Sequence, residues 1–405
     1  MVMGTRKRNG DGQATPEETG PSLDFAGAER AAVIARLFDG VLRSARSHLL
    51  KATQPLAAEV WASGLLAVWD GLPEGDADSA FGEALVRHAQ ALGTPEAVAV
   101  LAALASVADS RLATRARTAA AELERVGVSA PGWAARVGTA APTEAWIGAD
   151  RYGDQEILIL GFAYPEDDAQ HSICVLVDHT AGGIAKDAYP AAALEATLAR
   201  WREAEGNGIT LRPLGLAEAA GRLGDALVAT DYSGTPRAPG FSDGAAARLG
   251  EMRALLASRL AALPPGQAPG RSELDHEARE RLVAEFLGSP EAADLLAEPA
   301  TVDLCHSLVV YRCDFGDGDP LRWSPTLAGL CLLEHFPARV SVDDPDLALV
   351  PDVLAAWVGY AGRLRGVPDE AVGKIHDVIG ECRSAFTESM LDETSTQLVA
   401  TGPEA

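Results

Sequence analysis

Apolar residues recur at intervals of three and four over long stretches of this chain, and that spacing predicts helices in two regions. The first region is 23–137, where the predicted helices cover about 26–50, 54–71, 79–92, 94–108 and 110–127. Thr94 and Pro95 mark one helix start, because a threonine hydroxyl accepts N–H groups of the first turn and proline at the first helical position loses no hydrogen bond.

The helix over 110–127 has its apolar positions on one face. They are Leu112, Ala116, Ala119, Leu123 and Val126. Two short helices joined by a tight turn and apolar on one face are typical of a HEAT-type repeat. No clean repeat period is present, so an irregular helical bundle fits the pattern equally well.

Strand-forming residues replace the helical spacing from 155 onward. The stretches "QEILILGFAYP", "HSICVLVDH" and "IAKDAYP" predict three strands in an antiparallel meander. A helix at 191–205, a strand "GITLRPL" and helices at 216–229 and 243–263 follow. Residues 145–265 are therefore predicted to form a small α+β module with an antiparallel sheet.

The second helical region is 272–391, which we predict to be a C-terminal helical domain. Ser324 and Pro325 begin one helix, a second covers Asp352 to Arg365, and the last runs from Asp369 to about Leu391. One seam on the last helix holds Val372, Ile375, Ile379, Cys382 and Phe386. The fold class is thus α+β and predominantly α-helical, with a disordered arm at 1–22 and a loose tail at 392–405.

The negative charge of the chain disfavours two classes of binding partner. A formal charge of −24 and a pI near 4.7 repel nucleic acid and anionic membrane surfaces. No run of about 18 apolar residues predicts a membrane span, and no signal segment is visible. Five scattered cysteines fit reduced thiols, so we expect a cytoplasmic protein.

Common catalytic motifs are absent or out of context. The stretch "GFSDG" at 240–244 matches Gly-x-Ser-x-Gly around Ser242, but prolines precede it where a buried strand is required, so we predict a helix cap instead. The sequence has no Walker A motif, no dinucleotide fingerprint and no His-Glu-x-x-His, and we predict no cofactor.

The acidic stretch "DFGDGDP" is a candidate metal site. Asp314, Asp317 and Asp319 could offer oxygen ligands to a hard cation such as calcium. Their spacing is not that of an EF-hand, and an acidic turn between helices is the favoured interpretation.

The hairpin around Gly182 and Gly183 carries the candidate catalytic residues Asp178, His179, Lys186 and Asp187. A two-residue turn would place Asp178 opposite Asp187 and His179 opposite Lys186. A four-residue loop would place Asp178 opposite Ala185 and Leu176 opposite Asp187. We favour a structural role, in which Asp178 binds loop amides and Asp187 lies near solvent at the sheet edge.

A resemblance covers roughly 150–390. The stretches "YGDQEILILGFAYP", "HSICVLVDHTAGGIAKDA", "LVAEFLGSPEA" and "WSPTLAGLCLLEHFPARV" are similar to large, acidic, uncharacterised actinobacterial proteins. This resemblance implies a bacterial cytoplasm and transfers no functional residue.

Three functional hypotheses remain. The leading one is a non-enzymatic interaction or regulatory protein with a protein partner, and it leaves the oligomeric state open. The second is a hydrolase or metal-assisted enzyme with its site at the 178–187 hairpin. The third is a small-molecule sensor with a pocket between the sheet and the C-terminal helices.

Overall fold

The computed structural model describes residues 25–70, 77–165, 170–204, 208–233, 245–268, 274–338 and 345–391. The predicted arm at 1–22, the predicted cap at Ser242 and the predicted tail at 392–405 lie outside these residues. The predicted fold class is confirmed, because helices predominate in the described residues and surround one antiparallel sheet there.

Helices precede the sheet throughout the first region. They are α1 (Phe25–His48), α2 (Pro55–Asp70), α3 (Ala77–Leu92), α4 (Pro95–Val107) and α5 (Ser110–Arg125). The predicted cap at Thr94 is present, and its hydroxyl accepts the Ala97 N–H at 3.3 Å. Val126 is 66% exposed, contrary to the predicted seam, because α5 ends at Arg125. Since α4 contacts α1, α2, α3 and α5, the helices form a bundle around α4 and not a stack in which only neighbours touch.

The sheet has five strands in the order β4-β3-β2-β1-β5. They are β1 (Ala141–Asp150), β2 (Gln155–Ala163), β3 (Gln170–Asp178), β4 (Ile184–Ala191) and β5 (Ile209–Leu214). The predicted meander corresponds to β2, β3 and β4, which pair antiparallel. The sequence pattern missed β1, which lies between β2 and β5.

Helices cover both faces of the sheet. They are α6 (Leu194–Ala204), α7 (Leu216–Tyr232) and α8 (Ala245–Ala262). One face contacts α6, while α7 and α8 pack on the other face and against β4. The apolar core on this second side runs without interruption into the N-terminal helices, so the predicted boundary near 137–145 falls inside one core.

The pairing of β3 with β4 decides between the two predicted registers. Leu176 lies opposite Asp187, as a four-residue loop requires, so the register with Asp178 opposite Asp187 is wrong. Asp178 lies opposite Ile184 and not Ala185, because an irregularity between Leu176 and Val177 leaves Lys186 as an extra residue on β4. The loop therefore covers 179–183.

The C-terminal region has a second apolar core. Its α-helices are α9 (His276–Leu287), α10 (Thr301–Asp314), α11 (Pro325–Leu330), α12 (Val350–Arg365) and α13 (Asp369–Leu391). The predicted seam of α13 is confirmed, with Ile375, Ile379 and Phe386 buried in that core. Among the described residues, Asp346–Arg365 is apolar and long enough to cross a membrane, but 56% of its apolar window is buried, as in a core helix.

Two glycines allow the segment after α8 to cross α7 at very short range. A Cβ on Gly221 would lie 2.0 Å from the Ala268 nitrogen, and one on Gly266 would lie 1.9 Å from the Ala217 oxygen. Substituting either glycine with alanine should therefore lower the free energy of unfolding by about 1–3 kcal/mol, because backbone atoms must move apart. Thermal unfolding of each variant measures this loss.

The control is Gly64→Ala, since a Cβ at that position of α2 meets nothing within 4 Å. It should stabilise the helix by about 0.5–1 kcal/mol. If all three alanine variants unfold at the same temperature, the close crossing is contradicted.

Candidate functional site

Asp178 ends β3 and organises the turn that follows it. One carboxylate oxygen accepts the Thr180 N–H at 3.0 Å, the Thr180 hydroxyl at 2.6 Å and the Ala181 N–H at 3.3 Å. The other accepts Lys186 Nζ at 3.0 Å. Burial alone would raise the pKa of the Asp178 carboxyl, but hydrogen bonds from Thr180 and Lys186 outweigh it and hold the pKa below its usual range. The predicted contacts with loop amides are present.

His179 belongs to a different group of side chains. Its Nε2 lies 3.1 Å from Glu156 Oε2, and the same carboxylate accepts Arg222 Nη1 of α7 at 3.0 Å. Burial would raise the pKa of the Glu156 carboxyl, but His179 and Arg222 outweigh it and lower that pKa. His179 therefore does not face Lys186 across the hairpin.

Asp187 is paired with a third element. Its carboxylate accepts Arg248 Nε at 3.1 Å and a second bond from the same guanidinium. The predicted position near solvent is wrong, because Asp187 is buried. The cause is α8, which packs against β4 and brings Arg248 to it.

The four candidate side chains are thus distributed over three ion-paired groups. Only Asp178 and Lys186 belong to the same one. A general base needs a pKa near the working pH and access to a substrate proton, whereas the pKa of Asp178 is lowered and its oxygens are occupied. The geometry favours a structural role for this hairpin.

The candidate cation ligands are each paired with arginine. Asp314 binds Arg279, with its two oxygens 2.6 and 3.1 Å from the guanidinium nitrogens. Asp319 binds Arg365 through one oxygen. In the described part of the chain, no group of three or more His, Cys, Asp or Glu side chains could hold a metal ion.

Asp317 contacts Arg322, a residue that no sequence pattern indicated. It binds Arg312 and Arg322, and although burial would raise the pKa of its carboxyl, both guanidinium groups outweigh burial and lower that pKa. Arg322 is only 5% exposed. It follows the acidic stretch that was a candidate metal site, and no local motif distinguishes the arginine itself.

Arg322 connects the C-terminal helices with the end of the sheet. Its Nη1 donates to Asp154 Oδ1 at 2.6 Å and to the Gly153 carbonyl at 3.0 Å, and its Nη2 donates to the His179 carbonyl at 3.4 Å. We call this set of contacts the Arg322 joint. The hairpin that looks catalytic in the sequence therefore contacts the C-terminal region through the His179 carbonyl, beside the turn at 153–154.

A second buried network connects α2, α8 and the sheet. Arg259 binds Glu59, and the Tyr164 hydroxyl donates to the same Glu59 oxygen at 2.6 Å. His171 stacks against the Tyr164 ring at 5.3 Å between centroids. Burial lowers the pKa of His171 to about 4, so its ring is neutral at physiological pH. These groups are enclosed and offer no route for a substrate.

An open groove is lined by α7, α8 and the segment 263–268. Its volume is about 1010 Å³, and its lining is mostly apolar, including Leu227, Val228 and Leu260. Val228 is 54% exposed, and Tyr232, one turn further along α7, is 89% exposed. We call this feature the α7–α8 groove.

Comparison with models of protein families, with curated proteins and with solved structures finds no match for this chain.

Proposed function

We propose that this chain is a non-enzymatic interaction or regulatory protein of the bacterial cytoplasm that holds a protein partner in the α7–α8 groove. The observation that carries the proposal is the exposure of Val228 in an open apolar groove, with the exposed Tyr232 one turn further along α7. Contiguous apolar surface that stays in contact with water is typical of sites that bind a partner.

The partner that fits this groove is an amphipathic helix with basic residues beside its apolar face. An elongated groove between two helices accepts a third helix through side chains spaced three and four residues apart. Asp225 lines the groove, is exposed, and has no ion pair in the described structure. The net charge of −24 adds long-range attraction for a basic segment. Nucleic acid and anionic membranes are disfavoured for the same reason.

Affinity capture from cells that express the protein naturally tests this proposal with Val228→Glu. A charged side chain in the groove should reduce recovery of the partner at least about tenfold, since an unpaired buried charge is costly. The matched control is Val33→Glu, because Val33 is also 54% exposed on a helix, α1. The wild type and this control should recover equal amounts of partner.

Salt and sequence give two further readouts of the same experiment. Capture should weaken as ionic strength rises, and the captured protein should contain a basic amphipathic helix. Recovery of the chain alone contradicts the proposal. Equal capture by Val228→Glu and Val33→Glu contradicts the groove as the docking site.

The hydrolase hypothesis has weaker support from the geometry. It requires Asp178, His179, Lys186 and Asp187 to meet in one cleft, and the described contacts distribute them among separate ion pairs.

A further inference from the structure

A second cavity lies on the opposite side of the sheet from the groove, between the end of β4 and the first turns of α6. Its volume is about 460 Å³, within the range of about 300–1,000 Å³ that is usual for small-molecule sites. Tyr189 of β4 and Trp201 of α6 contribute aromatic rings to its wall, and Arg200 lies beside them. We call it the α6 cavity.

Arg200 is an exposed arginine in the lining of the α6 cavity. Its guanidinium is exposed and forms no ion pair or hydrogen bond within the described ranges. The neighbouring Arg202 instead lies over the Trp146 ring at 5.6 Å from the centroid.

The turn of α6 that precedes Arg200 is held on the sheet by polar contacts. Thr197 is buried, and its hydroxyl lies 2.8 Å from Ser172 Oγ of β3 and donates to the Ala192 carbonyl at 3.1 Å. These bonds fix α6 on the sheet and leave the Thr197 hydroxyl occupied. This side of the cavity is therefore rigid. The groups left to bind a ligand are the two rings and Arg200.

Tyr189 contributes a neutral phenol to the cavity wall. Burial raises the pKa of its phenol to about 12, so the hydroxyl keeps its proton at physiological pH. The nearby Cys174 thiol is also protonated, since burial raises its pKa to about 11. Neither group places a negative charge beside Arg200, so an incoming anion meets no local repulsion from them.

We propose that the α6 cavity binds a small planar carboxylate, with Arg200 on the carboxylate and the rings of Tyr189 and Trp201 on the flat part of the ligand. A guanidinium matches the two oxygens of a carboxylate with two parallel N–H donors. Aromatic rings supply large contact area for a flat ligand. This site is independent of the α7–α8 groove and gives the protein a small-molecule ligand whether or not a protein partner binds.

The test is isothermal titration calorimetry with benzoate as the probe and benzyl alcohol as its neutral counterpart. Benzoate should bind the wild type with a dissociation constant of about 1 mM or lower, and benzyl alcohol should bind at least tenfold more weakly. The variant Arg200→Gln should lose at least tenfold in benzoate affinity. Because Arg200 is exposed, this variant should fold normally, which circular dichroism checks.

Arg202→Gln is the matched control, since Arg202 lies on the same helix outside the cavity lining. It should bind benzoate as the wild type does. The proposal is overturned if benzoate fails to bind at about 10 mM, if benzyl alcohol binds equally well, or if both arginine variants lose affinity to the same extent.

Discussion

Replacing Arg259 with methionine should lower the free energy of unfolding by about 3–5 kcal/mol. Arg259 is 1% exposed, and its partner Glu59 is fully buried. Methionine removes the cation but leaves a carboxylate in a medium that solvates charge poorly, and removal of one partner of a buried ion pair is far more costly than removal of both. Urea unfolding followed by circular dichroism measures the loss.

Two further variants separate charge from packing. In Glu59→Gln/Arg259→Met the buried charge is gone, while the glutamine oxygen can still accept the Gly138 N–H that Glu59 now accepts at 2.7 Å. This double variant should be more stable than Arg259→Met alone. Arg115→Met removes an exposed partner of Glu83 and should cost less than about 1 kcal/mol. If Arg115→Met and Arg259→Met lower the free energy of unfolding equally, the predicted cost of breaking the buried Arg259–Glu59 pair is wrong.

The sequence predicts helix caps and apolar helix faces well, because these features depend on residues only a few positions apart. The cap at Thr94 and the seam of α13 follow from hydroxyl chemistry and from spacing within a few residues. The sequence pattern did not predict strand β1, because that strand contains Gly148 and glycine is unfavourable in a strand. A Cβ at Gly148 would lie 2.7 Å from the Ile157 side chain, so glycine is required by packing that no local pattern reveals.

The candidate site was harder to predict because its contacts join distant parts of the chain. The role of Asp178 was predictable, since an aspartate at a strand end commonly binds amides of the next residues. The pairing of Asp187 with Arg248 joins positions 61 residues apart, and Arg259 with Glu59 joins positions 200 apart. Spacing along the sequence carries no information about such pairs.

Substituting Arg322 with methionine should open the contact between the two apolar cores. Asp154 would lose its guanidinium partner, and the carbonyls of Gly153 and His179 would each lose a donor. Asp317 keeps Arg312, so we expect a loss of about 3 kcal/mol, at the lower end for a broken buried ion pair. Hydrogen exchange should accelerate in the turns at 151–154 and 179–183, while the centre of the sheet keeps its protection.

Arg365→Met is the matched control for this joint. Arg365 pairs with Asp319 in the same acidic loop, but the two side chains are 38% and 40% exposed, so water replaces the lost bond at little cost. Its exchange pattern should match that of the wild type. If Arg322→Met leaves exchange at both turns unchanged, the sheet end is held by apolar contacts alone. If both variants accelerate exchange equally, the effect belongs to the acidic loop as a whole. Acceleration with Arg322→Met alone would show that one buried guanidinium couples the hairpin to the C-terminal helices.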